Sequence, residues 1–461
     1  MNKKLVVFSG LGLLVLLTRL CHLNILWVEE GYPSAAAIQM LHGSFPYRDF
    51  WFDKPPLFPA VYLLWGGLTG LPLRLAGAVF VMACAWMVHK FARDWWGERE
   101  GLIAATLLTC SFVFWIPSAV MTLAPDLLMV LPHLAAVYFA WRKKPFYSGL
   151  LAGICVCLNS KGLFVLAACV VWNLSGALPL MAGFAIPNAI ALALFGAPYI
   201  EQVWQWGYVY SANTFVGVPR REAAMRTLNW IGFHSALVAG AGWYWWKCRA
   251  EGSTRTFAWL VISLIGVAAG LRFFPRYYFQ LIPVMALVAA RGISQMKWPA
   301  VGLLLLLLPV ARFGPRYAIL ANDLIHRREH NWTDLAMNQD SRAASLIVNQ
   351  ASRPGDTLLV WGYRPDVFAY TRLQAGTRFL DSQPLTGVLA DRHLTSSEPL
   401  FAAIAGRNRV VLQQTSPTFI VDGLGPYNPE LAITRYEDLQ SWLKQYLEIG
   451  RTEHSIIYKR R

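Results

Sequence analysis

Apolar residues run in long blocks through the first two thirds of the chain, broken by short segments that carry charge, proline or both. A helix needs about 20 such residues to cross a bilayer. Residues 5–27, 72–93, 101–119, 127–141, 146–160, 162–175, 178–198, 229–247, 256–271, 277–291 and 298–311 come closest to that pattern. Residues 56–70 are also apolar, but they are short and bounded by proline and glycine, so they are expected to lie along the interface within a first outer loop, 28–71. Beyond 311 the pattern becomes that of a water-soluble α/β unit. A helical period covers about 331–352, a Pro-Gly-Asp turn leads into a strand at 357–361, and 419–421 and 455–458 read as further strands, with a helix at 437–446. The expected fold is a polytopic α-helical membrane body of about 11 spans, residues 1–311, followed by a C-terminal α/β soluble domain, residues 312–461.

Basic clusters set the direction of insertion, because cytoplasmic loops collect lysine and arginine. Lys3 and Lys4, His89-Lys90 with Arg93 and Arg99, Arg142-Lys143-Lys144, Lys247 with Arg249 and Arg255, and Arg291 with Lys297 all belong on the cytoplasmic side. An odd number of crossings then puts the tail on the opposite face, the periplasmic side of a bacterial inner membrane. Composition agrees: of 461 residues 56% are hydrophobic and 15% charged, with a mean hydropathy of +0.39. A soluble protein carries about 25% charged residues, so an ordinary cytosolic enzyme is excluded. The net charge is +15, with 23 Lys/Arg and 11 Asp/Glu in residues 1–311 against 18 and 15 in 312–461. That excess is scattered over loops and forms no basic stripe, so nucleic acid is not an expected partner.

All seven cysteines lie in the apolar body without a Cys-x-x-Cys and read as small buried residues. No Gly-x-Gly-x-x-Gly, Walker loop or His-Glu-x-x-His occurs, and no cofactor is expected. His326 and His330 stand four apart without a completing ligand, so no metal is expected either. Asn331-Trp332-Thr333 reads as an idle glycosylation sequon.

The candidate chemistry gathers on one membrane face. With the topology above, residues 28–71, 120–126, 160–162, 199–228 and 272–276 share the side of the tail, and they carry Glu29, Glu30, Asp49, Asp53, Lys54, Asp126, Lys161, Arg272 and Arg276. Four of the 11 acidic residues of the body fall within 29–53. Ionisable groups at a membrane edge are costly unless paired or wetted, and they tend to mark function. A cluster of both signs around one outer hollow has the character of a catalytic site.

Three stretches carry a resemblance. VEEGYPSAAAIQMLHGSFPYRDFWFDKPPLFPAVYLL (28–64) places an acidic pair after the first span, then Pro-Tyr-Arg-Asp and Asp-Lys-Pro-Pro; RFFPRYYFQLIPVMALVAARG (272–292) and WGYRPDVFAYTRLQAGTRFLDSQP (361–384) follow in order. Together they resemble the GT-C glycosyltransferases that use lipid-phosphate sugars. That group includes the protein O-mannosyltransferases, the lipid A aminoarabinose transferases and the lipopolysaccharide core transferases of rhizobia. The resemblance implies a sugar transferase that takes a polyprenyl-phosphate-linked donor to a lipid, glycan or protein acceptor. In that group the first acidic residue after the first span is the proposed base, which maps to Glu29 with Glu30 as its partner. The lysine before proline in the loop maps to Lys54, near the donor phosphate, and an acidic residue of the next outer loop maps to Asp126. The chemistry asks for the same residue types: a carboxylate to take the acceptor proton, and cations to stabilise the departing phosphate. Lys54, Lys161, Arg272 and Arg276 can supply the latter, and a single displacement would invert the sugar carbon. Two rivals share the composition: a polysaccharide polymerase or ligase with a pyrophosphate-linked donor, and a non-enzymatic lipid or sugar transporter. The latter class usually shows inverted repeats, and none is found here.

Overall fold

In the computed structural model, residues 3–212, 220–247, 252–328, 330 and 332–461 are described. Cys248, Arg249 and Asn331 lie outside them. The body is helical, and proline and glycine decide where its helices stop. Helix Leu71–Trp96 starts at a left-handed Gly70 with Pro72 in its first turn and ends at Gly97, also at positive φ. At 1.5 Å per residue its 26 residues exceed a bilayer core. Among the described residues it is one of three helical stretches long and apolar enough to cross, with Leu174–Ala212 and Pro299–His326. Other apolar helices are shorter: Pro125–Trp141, Pro145–Leu158, Gly162–Trp172, Ser253–Ala268 and Ile282–Ser294.

Small residues let these helices touch backbone to backbone, as membrane helices commonly do. A Cβ on Gly149 would lie 1.8 Å from the Leu180 carbonyl oxygen, and one on Gly292 equally close to that of Gly240. Isolated charges inside the body are answered by polar partners. Arg74, fully buried on helix Leu71–Trp96, holds Glu30 at 2.7 Å and the Ile25 carbonyl at 2.8 Å. Buried Arg19 donates to the carbonyls of Met121 and Val120.

Residues 28–41, expected as polar loop, form helix Val28–Leu41, and most of it is buried. Ala35, Ala36 and Ala37 are small enough for close approach from both sides. The tail stands directly on this helix. Helix Asp366–Thr371 packs against it so closely that a Cβ on Gly31 would sit 2.9 Å from Asp366 Cβ. The Gln39 side chain accepts from Ala375 N at 2.7 Å and donates to the Leu373 carbonyl.

The tail carries a five-stranded sheet of order β2-β1-β3-β5-β4. β1 (Thr357–Trp361) runs parallel to β2 (Gln374–Ala375) and to β3 (Phe419–Asp422), with Leu359 opposite Ile420. β5 (Ile456–Arg460) is antiparallel to β3 and to β4 (Tyr446–Arg451). β1 from Leu358 on and all of β3 are buried, as parallel strands covered on both faces are. The expected helix at 437–446 is only short turns, Glu437–Leu439 and Gln440–Leu443, and β4 begins at Tyr446. Helix Leu307–His326 runs unbroken from the apolar body toward the tail.

Candidate active site

Where body and tail meet, a cavity of about 430 Å³ opens, and it collects charge from five separated segments. Glu29 reaches it from the first turn of helix Val28–Leu41, entered from an extended Trp27. Arg276, on the short 3-10 helix Pro275–Gln280, pairs through Nη1 with Glu29 and brings Nε to 3.6 Å from Asp126. Asp126, in the first turn of Pro125–Leu128, also accepts from the Asn159 side-chain amide at 3.2 Å. Lys161 Nζ stands 3.9 Å from Asp126 and over the ring of Tyr277, without a hydrogen-bond partner among the described residues. Carboxylate and cation thus alternate along Glu29, Arg276, Asp126 and Lys161. Burial lowers the pKa of Lys161 to about 7, with Asp126 opposing the shift and Arg276 adding to it.

Two further cations occupy the wall. Lys54 pairs with Asp53 at 2.7 Å and keeps a third of its side chain exposed. Arg272 is buried, lies 3.8 Å over the Tyr210 ring, donates to the Tyr210 hydroxyl and reaches Asp391 of the tail at 3.3 Å. Its Nε and Nη2 have no partner among the described residues. The chain holds this arginine between two left-handed non-glycine residues, Leu271 at φ 50° and Phe273 at φ 47°. Such bulky residues seldom adopt that region, at a cost of order 1–3 kcal/mol each. Nearby, Asp381 of the tail is pushed up to about 7 by burial, with Asp53 adding to the shift.

Of the seven residues expected from the sequence, Glu29, Lys54, Asp126, Lys161, Arg272 and Arg276 line this one cavity. Glu30 does not. Its carboxylate points away, fully buried, to Arg74 and to the Leu123 backbone N–H at 3.3 Å. Consecutive helical residues project about 100° apart, so a neighbouring pair cannot both face one hollow. Arg48 and Asp49 form a local pair at 2.8 Å outside the cavity.

Sequence reasoning missed Asn159, Tyr277, Tyr210 and Tyr363, which also line the cavity. Asn159 and Tyr277 had a signal, since Asn159 stands two residues before Lys161 and Tyr277 directly follows Arg276. Tyr363, in the loop after β1, is brought in only by the docking of the tail.

Comparison with known proteins agrees on architecture. No family model and no curated protein sequence matches. An ArnT from Cupriavidus metallidurans, solved bound to undecaprenyl phosphate, aligns over 99% of this chain and 98% of its own at 13% identity, TM-score 0.59. The apo Archaeoglobus fulgidus oligosaccharyltransferase aligns over 92% of this chain and 70% of its own at 13% identity, TM-score 0.54. The AglB of the same organism, in complex with an inhibitory peptide and a dolichol-phosphate, covers 100% and 75% at 12% identity, TM-score 0.51. The present chain has their fold.

Proposed function

We propose that the protein is an integral membrane glycosyltransferase that moves a sugar from a polyprenyl-phosphate carrier to a lipid, glycan or protein acceptor on the periplasmic face of a bacterial inner membrane. The observation that carries this reading is the meeting of Glu29, Arg276, Asp126 and Lys161 in one cavity. The lipid phosphates held by ArnT and AglB, proteins of the same fold, support it. Some eleven crossings, a membrane body of residues 1–311 and a periplasmic domain of residues 312–461 complete the picture.

In this mechanism Glu29 accepts the proton of the acceptor hydroxyl, whose oxygen attacks the sugar carbon. The bond from that carbon to the phosphate oxygen breaks, inverting the centre, and the phosphate keeps the bonding electrons. Arg276 orients Glu29, and Asp126 holds Arg276 and Lys161 in place. Lys161 and Arg272 are the cavity cations whose donors lack hydrogen-bond partners among the described residues, so they are the groups that take the phosphate first. Lys54, already paired with Asp53, has less to offer and stands at the rim. Preorganised cations in a site shielded from water stabilise the departing charge strongly.

The test is transfer of radiolabelled sugar from undecaprenyl-phosphate donors by purified protein in lipid. Glu29→Gln is expected to cost about 10²–10⁴-fold in transfer, the usual worth of a general base, with undecaprenyl phosphate still bound. Full transfer by Glu29→Gln would overturn the assignment.

A further inference from the structure

Arg272 is shared between two parts of the molecule. Its backbone belongs to the membrane body, but its anionic partner, Asp391 at 3.3 Å, belongs to the turn Ala390–Arg392 of the tail. Asp391 lies outside the cavity lining, and about a third of its side chain is exposed, so it is not demanded by the tail's own core. The guanidinium it faces is buried and still has Nε and Nη2 without partners among the described residues. The other neighbours of Arg272 are neutral or cationic: the Tyr210 ring and hydroxyl, the Phe274 ring, and Arg226, which donates to its carbonyl at 2.6 Å. Among the described residues, Asp391 is the carboxylate paired with the Arg272 guanidinium at this end of the cavity's cationic wall.

We propose that Asp391 is a specificity residue that limits the phosphate charge the cavity accepts and selects lipid monophosphate over lipid diphosphate. This rests on the reading of the cavity as a lipid-phosphate site and names the class of carrier within it. A diphosphate linkage brings one more negative charge than a monophosphate linkage, in the sugar-linked lipid and in the free lipid phosphates alike. The first charge is met by Lys161 and the free donors of Arg272. A second phosphate at Arg272 meets the fixed carboxylate of Asp391, and like-charge contacts of this kind exclude wrong ligands more than they weaken right ones.

The experiment measures binding of undecaprenyl phosphate and undecaprenyl diphosphate to the full-length protein in nanodiscs, for wild type, Asp391→Asn and Asp391→Glu. Asparagine keeps size and hydrogen bonding, and the glutamate variant keeps the charge. Wild type is expected to prefer the monophosphate. Asp391→Asn should narrow the ratio of the two dissociation constants about tenfold by gaining affinity for the diphosphate, as removal of one nearby like charge implies, while Asp391→Glu keeps the wild-type ratio. If Asp391→Asn changes both affinities equally, or weakens both, Asp391 only braces Arg272 and the inference falls. If wild type binds neither lipid, the functional reading itself fails and takes the inference with it.

Discussion

At the scale of single residues, Lys161 is the group whose state depends most on its surroundings. Its pKa, lowered from 10.5 to about 7 by burial, brings the loss of its proton into the neutral range. The affinity of the site for undecaprenyl phosphate is expected to fall as pH rises through 7, and Lys161→Met should flatten that profile. Titration calorimetry between pH 6 and 8.5 checks this; an unchanged profile in the variant would assign the dependence elsewhere. The linkage to stability has the opposite sense. The unfolded lysine still holds its proton between pH 7 and 10.5 while the folded one has lost it, so the unfolded state binds more protons and this residue makes the fold more stable as pH rises across that window. Below pH 7 both forms are charged and the burial cost is carried in full.

At the scale of elements, the helix that presents Glu29 is governed by one contact. Gly31, two residues on, meets Asp366 of the tail at a distance that leaves no room for a methyl group. Gly31→Ala is expected to cost about 1–3 kcal/mol, the usual penalty of overpacking, read as a lowered Tm of the purified protein. It should also reduce transfer, because helix Val28–Leu41 must shift to accommodate it. A variant with unchanged Tm would mean that the tail is free to yield. This element also shows where sequence reasoning stopped. Its charges, proline and glycine read as a loop; what makes it a buried helix is a partner more than 300 positions away, and nothing local announces that. The same holds for Glu30, whose partner Arg74 stands 44 positions further along the chain.

At the scale of the whole molecule, the tail is expected on the face opposite the N-terminus. A cysteine introduced at exposed Glu430, reacted with an impermeant thiol reagent in intact cells after the outer membrane is permeabilised, should label, whereas one at Lys4 should not. Labelling of both or of neither would refute an odd number of crossings. The separation into an apolar body and a charged tail, the strands at 357–361, 419–421 and 455–458, and the six of seven candidate residues that line the cavity were legible in the sequence, because hydrophobic blocks, turn chemistry and charges at membrane edges are local signals. The pairing of those charges was not local. Arg276 bridges residues 29 and 126, and Arg272 reaches residue 391. Which carboxylate faces the cavity and which is spent inside the protein depends on helix rotation and on the docking of the tail, and those are settled by packing between segments far apart in the chain.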